Sequence, residues 1–304
     1  MDWKNFRVRK DISLAPFTTW KVGGVAQWYA EPTTEELPGL LRLAREHGVP
    51  VFFLGRGSNV LIADEGLPGL VIHTWKALLG IRRIGEDMVE AEAGVPLPRL
   101  SRFVADLGCA GFEFLIGIPG TVGGGVVINA GLRAPLRREV QDILAEVDIV
   151  ELDGKIITLP ASEIGLRYRH SNLFDRGSFV LRARFVLQDF ASGSDVIRRR
   201  TAHHLLERKQ KQPLSRQTAG STFKQVRAGP ATGWYLEQAG LKGRRVGGVV
   251  VSEKHANWIE TDATATATDV RELMKIMVNE VHSKFGVVIK REVRFLPEDT
   301  SFQA

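Results

Sequence analysis

Residues 111–131 read GFEFLIGIPGTVGGGVVINAG, and this stretch restricts the fold more than any other. It holds seven glycines, no lysine or arginine, and one acid, Glu113. Glycine gathers where backbone must approach something closely or take a positive φ. The apolar neighbours Phe112, Phe114, Leu115, Ile116, Ile118, Val122, Val126, Val127 and Ile128 mark the stretch as buried chain rather than linker. A buried, nearly uncharged glycine loop either offers backbone N–H groups to an anion or makes a tight turn in an ordinary core. The first reading predicts a phosphate-bearing cofactor; the stretch alone leaves both open.

Composition narrows the class. The 304 residues, 44% hydrophobic and 25% charged, suffice for two or three globular domains. The net charge of +6 fits a nucleic-acid binder or an enzyme for polyanionic small molecules. Its basic residues are dispersed apart from short clusters at Arg198-Arg199-Arg200 and Arg208-Lys209-Gln210-Lys211. With no RNP-type aromatic motif and no Cys/His finger spacing, no nucleic-acid partner is expected. The single cysteine, Cys109, excludes an internal disulfide and a cysteine metal cluster. No apolar run reaches the roughly 18 residues of a membrane span, and MDWKNFRVRK lacks the apolar core of a signal peptide. The expectation is a cytoplasmic protein without a membrane partner.

Periodicity predicts three α+β units, at residues 1–75, 76–191 and 192–304. The first opens with an extended or irregular lead-in over 1–17. A strand at 26–30, a helix from Thr33 or Thr34 to Gly48, and strands at 51–54 and 69–73 follow. The second has alternating segments at 79–93 and 178–187, a helix from Leu97 to Gly108, and a hairpin turning at Asp153-Gly154. The third begins with a helix capped by Ser194 and stopped by Pro213. A short helix at 232–239, strands at 246–251 and 256–260, a long helix capped by Thr268 and a last strand over 287–296 complete it.

Several polar groups stand where chemistry is possible. Gly55-Arg56-Gly57-Ser58-Asn59 follows a strand directly and suits a pyrophosphate, although a plain β-turn is the competing reading. It is neither a dinucleotide GxGxxG fingerprint opening a helix nor a P-loop. Paired with Gly120-Thr121-Val122-Gly123-Gly124, it becomes one half of a clamp that grips a diphosphate from two sides. Arg169, in Tyr168-Arg169-His170-Ser171, is either a fixed cation for an enolate or carboxylate, or a surface arginine. Ser221 sits in a glycine-preceded turn outside any Gly-x-Ser-x-Gly elbow, which argues against an acyl-enzyme but leaves a proton donor or a simple turn. Glu292 is a catalytic acid or a salt-bridged strand carboxylate, and alternation puts it on one face with Arg294. His203, His204 and Glu207 lie close on one helix, but no further ligand completes a metal site, so no metal is expected. Lys254-His255-Ala256-Asn257 reads as a turn.

Taken in order, TTWKVGG, FFLGRGSNVLIAD, GFEFLIGIPGTVGGGVVINAG, YRHSNL, KQPLSRQTAGSTFKQ, AGLKGRRVGGVVVSEKHANWIE and REVRFL resemble the UDP-N-acetylenolpyruvoylglucosamine reductase family. The resemblance runs from Thr18 to Leu296. It implies an α+β architecture: a two-subdomain FAD-binding module of the vanillyl-alcohol-oxidase type, then a C-terminal α+β substrate domain. It implies FAD as cofactor, NADPH as co-substrate, a UDP-sugar substrate bearing an enolpyruvyl ether, a monomeric state, and a place in bacterial cell-wall precursor synthesis.

Site residues follow by position. The resemblance gives Gly55, Arg56, Gly57, Ser58 and Asn59, with Gly120, Thr121, Val122, Gly123 and Gly124, to the FAD diphosphate. It gives Arg169 and Glu292 to charge stabilisation on the substrate and Ser221 to proton delivery at its α-carbon, after hydride reaches the β-carbon. Lys211 is the candidate for the substrate diphosphate, and Lys224 for substrate contact or for polarising Ser221. The chain departs from the family pattern at Gln225-Val226, where Asn-Pro or Arg-Pro is usual, at Gly125, where alanine is usual, and at Ile128, where methionine is usual. The interval from Arg169 to Ser221 (221 − 169 = 52) places it with the subtype lacking an extra tyrosine-bearing loop. A catalytically silent sugar-nucleotide binder and a flavin oxidase are the competing classes. Reduction of a bound, dissociable flavin by NADPH and its reoxidation by substrate separate all three.

Overall fold

The computed structural model describes residues 3, 6–132 and 137–299. The expected lead-in over 1–17 is described only in part. From residue 8 onward it contains an edge strand, β1 (Val8–Ser13), paired antiparallel with β2 (Val25–Ala30). Its side chains are mostly exposed, so hydropathy did not reveal it; backbone pairing holds it, helped by Val8 and Ile12 against the cores.

Helix α1 (Glu36–Glu46) buries Leu37, Leu40, Leu41 and Ala44. Strands β3 (Val51–Leu54), β4 (Val60–Ile62) and β5 (Leu67–His73) follow. The first sheet has the order β1-β2-β5-β3, with β5 parallel to both its neighbours. It is covered on both faces, and alternation divides its residues. Ala30, Leu70 and Ile72 join the large core that α1 shares with the second sheet. Tyr29, Phe52 and Val71 enter a smaller core on the opposite face, with Leu14 and Leu296.

The second sheet, β11-β10-β12-β7-β6, is antiparallel throughout. Its members are β6 (Ile81–Ile84), β7 (Met88–Glu92), β10 (Leu144–Val150), β11 (Ile156–Pro160) and β12 (Phe179–Val186). Helix α2 (Leu97–Asp106) packs on it through Leu97, Leu100 and Val104. The opening glycine stretch is not loop throughout. It contains α3 (Val122–Val127), followed by the short pair β8 (Gly131–Leu132) and β9 (Arg138–Glu139). A one-turn helix, α4 (Asn172–Arg176), precedes β12.

The third unit holds α5 (Ser194–Lys211), α6 (Thr232–Gln238), β13 (Arg245–Val246), β14 (Val249–Val251), β15 (Ile259–Thr261), α7 (Ala267–Phe285) and β16 (Arg294–Leu296). Gly193, not Ser194, occupies the N-cap of α5. The segment 246–251, expected as one strand, is a hairpin, because Gly247-Gly248 makes a two-residue turn between β13 and β14. The cap of α7 is Thr266 rather than Thr268: its hydroxyl accepts from Asp269 N at 3.0 Å. Thr268 N and Ala267 N donate instead to Asp64, from the first unit, at 2.9 and 2.8 Å.

The expected strand over 287–296 is the largest correction. Only Arg294–Leu296 is a strand, and it pairs in parallel with β4 of the first unit. Upstream, Lys224 N donates to Lys290 O and Glu292 N to Thr222 O, both at 2.8 Å. The chain therefore changes partner across Glu292 and Val293, from the 222–224 segment to β4. Among the described residues no helix is long and apolar enough to cross a membrane.

Candidate active site

A cavity of about 770 Å³ lies where the three units meet. That is within the range of small-molecule sites. All five residues Gly55, Arg56, Gly57, Ser58 and Asn59 line it, as do Gly120, Thr121, Gly123 and Gly124. The two glycine loops touch: a Cβ on Gly55 would fall 2.5 Å from Thr121 Oγ1, and one on Gly120 would lie 3.6 Å from Ser58 Oγ. Gly57 takes φ +62°, and a Cβ there would stand 2.4 Å from Phe17 O, so both conformation and space require glycine. Arg56 is held over the Trp75 ring at 5.1 Å.

Val122 differs from the rest of its loop. Its side chain is fully buried in the core, and it does not line the cavity. Its N–H goes to Val95 O and that of Gly123 to Ala93 O, both at 2.9 Å. These two amides serve the entry into α3, so an anion in the cavity is left to other donors of the two loops. Gly125 also has a packing reason: a Cβ would meet Leu97 Cδ1 and Cδ2 at 3.1 Å.

Arg169 occupies the tip of a tight turn in which Arg167 and His170 exchange backbone hydrogen bonds at 3.0 Å. Its φ of +54° lies in the left-handed region, unusual for arginine. Strain of this kind persists only where surrounding contacts fix it. Those contacts are explicit. Nε donates to Glu292 Oε1 at 2.6 Å, Nη2 to Gly131 O at 2.8 Å and Nη1 to Asn129 O at 3.4 Å. Glu139 adds a second carboxylate, 3.7 Å from Nη1. Asn129, itself at φ +45° and fully buried, donates to Glu139 Oε2 at 2.9 Å. The end of the opening glycine stretch therefore positions the arginine.

Ser221 lines the same cavity. Its neighbours are fixed by Asn257, which is fully buried. Asn257 Oδ1 accepts from Phe223 N at 3.0 Å, its Nδ2 donates to Phe223 O at 2.8 Å, and its backbone O accepts from Thr222 N at 2.8 Å. Because Glu292 N donates to Thr222 O, serine and glutamate ride on one piece of backbone. Asn59 Nδ2 donates to Glu292 O at 3.4 Å and Arg294 N to Asn59 O at 3.0 Å, which ties that piece to the first glycine loop. Arg294 lines the cavity with Glu292, as strand alternation predicts.

The two lysines are placed differently. Lys211 is exposed at the end of α5 and does not line the cavity; Arg208 and Gln212, on the same helix end, do. Lys224 is half-buried behind the lining, and its amine is pushed down by burial first and Arg294 next, with Glu292 opposing. The Gln225-Val226 departure is self-contained. Gln225 Oε1 accepts from Thr232 N at 2.9 Å, supplying the cap that α6 lacks. Val226 N, a donor proline would remove, bonds to Thr232 Oγ1 at 3.1 Å. Gln225 N in turn donates to Tyr168 OH at 3.2 Å, beside Arg169.

Sequence reasoning missed Asn129, Glu139, Arg208, Gln212 and His255 as parts or supports of this site. The INAG ending of the glycine stretch and the ERKQKQP run carried some of that signal; nothing local marked Glu139.

Comparison with known proteins agrees with this geometry. Residues 212–296 match the UDP-N-acetylenolpyruvoylglucosamine reductase C-terminal domain, and residues 27–160 match an FAD binding domain. The UDP-N-acetylenolpyruvoylglucosamine reductase of Synechococcus sp. (strain JA-3-3Ab) is 41% identical over 95% of this chain and 91% of its own length. That of Rubrobacter xylanophilus is also 41% identical, over 95% of each chain. The crystal structure of UDP-N-acetylenolpyruvylglucosamine reductase from Thermus caldophilus superposes with a TM-score of 0.77 at 34% identity, covering 96% of this chain and all of that one. With its two glycine loops facing an arginine–glutamate pair and a backbone-fixed serine, the chain belongs to the UDP-N-acetylenolpyruvoylglucosamine reductase family.

Proposed function

We propose that this cavity reduces UDP-N-acetyl-3-O-(1-carboxyvinyl)-glucosamine to UDP-N-acetylmuramate with NADPH, a step in peptidoglycan precursor synthesis. The reading is carried by one observation: the Arg169–Glu292 pair and Ser221 line the same cavity as both glycine loops. The glycine cradle, whose Gly55 and Gly57 pack too closely on Thr121 and Phe17 to carry a Cβ, suits the diphosphate of FAD. In this reading Gly55–Asn59 and the Gly120–Gly124 loop hold the cofactor, with Val122 acting only as packing.

Bound FAD, reduced by NADPH, supplies the hydride. Hydride arrival at the enol-ether β-carbon puts negative charge on the α-carbon and its carboxylate. Arg169, locked by Glu292, Gly131 and Asn129, is a fixed cation for that charge. Glu292, hydrogen-bonded to Arg169, holds the guanidinium in place for that charge. Ser221 holds the proton for the α-carbon. Lys224, whose amine is pushed down by burial, is close enough to Glu292 and Arg169 to tune the field around the serine. Arg208 and Gln212, on the same helix end as the exposed Lys211, are better placed inside the cavity to meet substrate anions. Residues 1–75 and 76–191 hold the cofactor and 192–304 the substrate, in a monomer working in the cytoplasm on a nucleotide-linked sugar.

The test uses flavin colour. Purified protein takes up FAD, NADPH bleaches it, and the enolpyruvyl substrate restores it. Ser221→Ala is expected to keep bleaching by NADPH and slow reoxidation by substrate about 10²–10⁴-fold, the range for a lost acid–base group. Reoxidation at the wild-type rate removes Ser221 from this role. A protein that takes up no FAD overturns the whole reading.

A further inference from the structure

His73, the last residue of β5, is a fully buried titratable group outside the reaction described above. Parallel pairing sets it opposite Leu54, the residue before the first glycine loop. Its ring stands in a line of polar groups. Tyr29 OH donates to Glu31 Oε1 at 2.6 Å and lies 2.5 Å from His73 Nδ1. On the far side of the ring, Nε2 is buried and has no hydrogen-bond partner. The Gly55 backbone is nonetheless near enough to favour a second proton on the ring. Among the described residues nothing donates to Gly55 O, and the N–H groups of Arg56, Gly57 and Ser58 find no protein acceptor.

Counting hydrogens shows what is missing. Three links are possible along the line: Glu31 to Tyr29, Tyr29 to His73, and His73 to Gly55 O. Each needs one hydrogen. Tyrosine brings one and a neutral imidazole one, so one link stays unmade; an imidazolium supplies the third. Tyr29 remains a phenol, pushed up by burial first and by its bond to Glu31 next. Glu31 is ionised: burial opposes this, but the Tyr29 bond, His73, Lys76 and Arg9 prevail and hold it below the usual carboxylate range. The carboxylate therefore takes the tyrosine hydrogen, Nδ1–H donates to the Tyr29 oxygen, and Nε2 is left bare. Other charges stand around the ring. Arg9 lies 4.7 Å over the Tyr29 ring and 3.7 Å from Glu31. Lys76 lies 5.4 Å over Phe17, which itself packs on His73. Arg56 is held over Trp75, whose ring meets His73 edge-on at 6.2 Å. Burial pushes the imidazole down, Glu31 and Gly55 raise it and Lys76 lowers it, with a net fall below its ordinary value. The second proton arrives only below pH about 6.5.

We propose that His73 is a positioning residue for the first glycine loop: doubly protonated, it bridges Tyr29 to Gly55 O and thereby aims the Arg56 N–H into the cavity. The geometry of one peptide unit makes the connection, since C=O of Gly55 and N–H of Arg56 belong to the same planar trans group and point opposite ways. Holding the oxygen toward the core turns the N–H toward the cavity that both residues line. An anion there favours the aimed loop and therefore favours the second proton, because coupling between two sites is reciprocal. This rests on the functional reading above, in which that anion is the FAD diphosphate. Cofactor binding then takes up a proton at His73 and strengthens in acid.

The experiment titrates FAD into flavin-free protein between pH 8 and pH 5, by flavin fluorescence, with wild type, His73→Gln and Tyr29→Phe. Wild type is expected to bind at least about fivefold tighter at pH 5 than at pH 8, the low end of couplings between sites. Near pH 6 its binding is expected to take up protons, read as a calorimetric heat that changes with the ionisation enthalpy of the buffer. Glutamine sets a permanent amide N–H near the place of Nε2. Tyr29→Phe removes the partner of Nδ1 and lets the neutral ring carry its one hydrogen on Nε2. Both variants are expected to bind FAD tighter than wild type at pH 8, with the pH dependence and the proton uptake reduced or gone. A flat wild-type profile overturns the proposal, and so do variants that keep the wild-type profile. Variants that bind more weakly than wild type at pH 8 also overturn it, because a merely structural role predicts that result. If both variants fail to fold, the wild-type profile and proton uptake decide by themselves. If wild type takes up no FAD at any pH, the functional reading falls, and this proposal with it.

Discussion

Replacing Asn257 with alanine is expected to damage stability and substrate reduction together, while leaving flavin reduction by NADPH close to wild type. Asn257 is fully buried and bonds both backbone groups of Phe223, whose side chain is 1% exposed. Alanine leaves a buried N–H and a buried C=O without partners. Each such group costs about 1–3 kcal/mol, so the two together give about 2–4 kcal/mol once some water enters the space left. The Thr222 N bond to Asn257 O is backbone and survives, so the segment loosens rather than detaches. Ser221 and Glu292 share that segment, and a displacement near 1 Å at a reacting group slows a step about 10²-fold. Urea denaturation measures the first effect and stopped-flow reoxidation of the reduced enzyme by substrate the second. Asn257→Asp is the sharper control. It keeps the acceptor for Phe223 N but sets a carboxylate oxygen against Phe223 O, so it is expected to be no better than alanine. A stability change under about 0.5 kcal/mol, the ordinary range of surface substitutions, would refute the reasoning.

Other perturbations test separate joints of the fold. Gly55→Ala places a Cβ 2.5 Å from Thr121 Oγ1 and is expected to weaken FAD binding at least tenfold; adding Thr121→Ala should restore part of it, measured by flavin fluorescence titration. Burial works against the Asp64 carboxylate. Bonds from Ala267 N and Thr268 N, with Arg271 nearby, outweigh it and hold the group below the usual carboxylate range. A depressed folded value means that Asp64 stabilises the fold above pH about 4 and that the contribution disappears as pH falls through the folded value. Asp64→Ala is therefore expected to lose about 1 kcal/mol at neutral pH, the usual effect of a lost helix cap, and progressively less in acid. Melting curves across pH 2.5–7 would show the two proteins converging at the acid end, and a constant difference would count against the latch.

The glycine loops were legible because their constraint is local. Gly57 needs its φ of +62° whatever surrounds it, and a run of glycines among apolar residues announces close approach before any fold is known. The helices at 36–46, 97–106 and 267–285 were legible by their apolar stripes. Edge strand β1 was not, since exposed edge residues carry no hydrophobic period. Nor was the hold of Asp64 on the first-turn amides of α7, because it reaches Ala267 from 203 positions away; the cap itself, Thr266, is local.

The site divides in the same way. The sequence by itself determined which residue types were present: two anion-suited loops, an arginine before a serine, a serine after a glycine and a glutamate in the last motif. Only the tertiary structure decided what each could do. It turned Val122 into core, left Lys211 at the surface, and placed Arg208 in the cavity wall, bonded to Gln212. It broke the last expected strand at Glu292, because residues 290–292 bond to 222–224 while 294–296 pair with β4. Burial and charge pairing depend on which chain segments meet, and those meetings span up to 241 positions, as between Trp20 and Thr261.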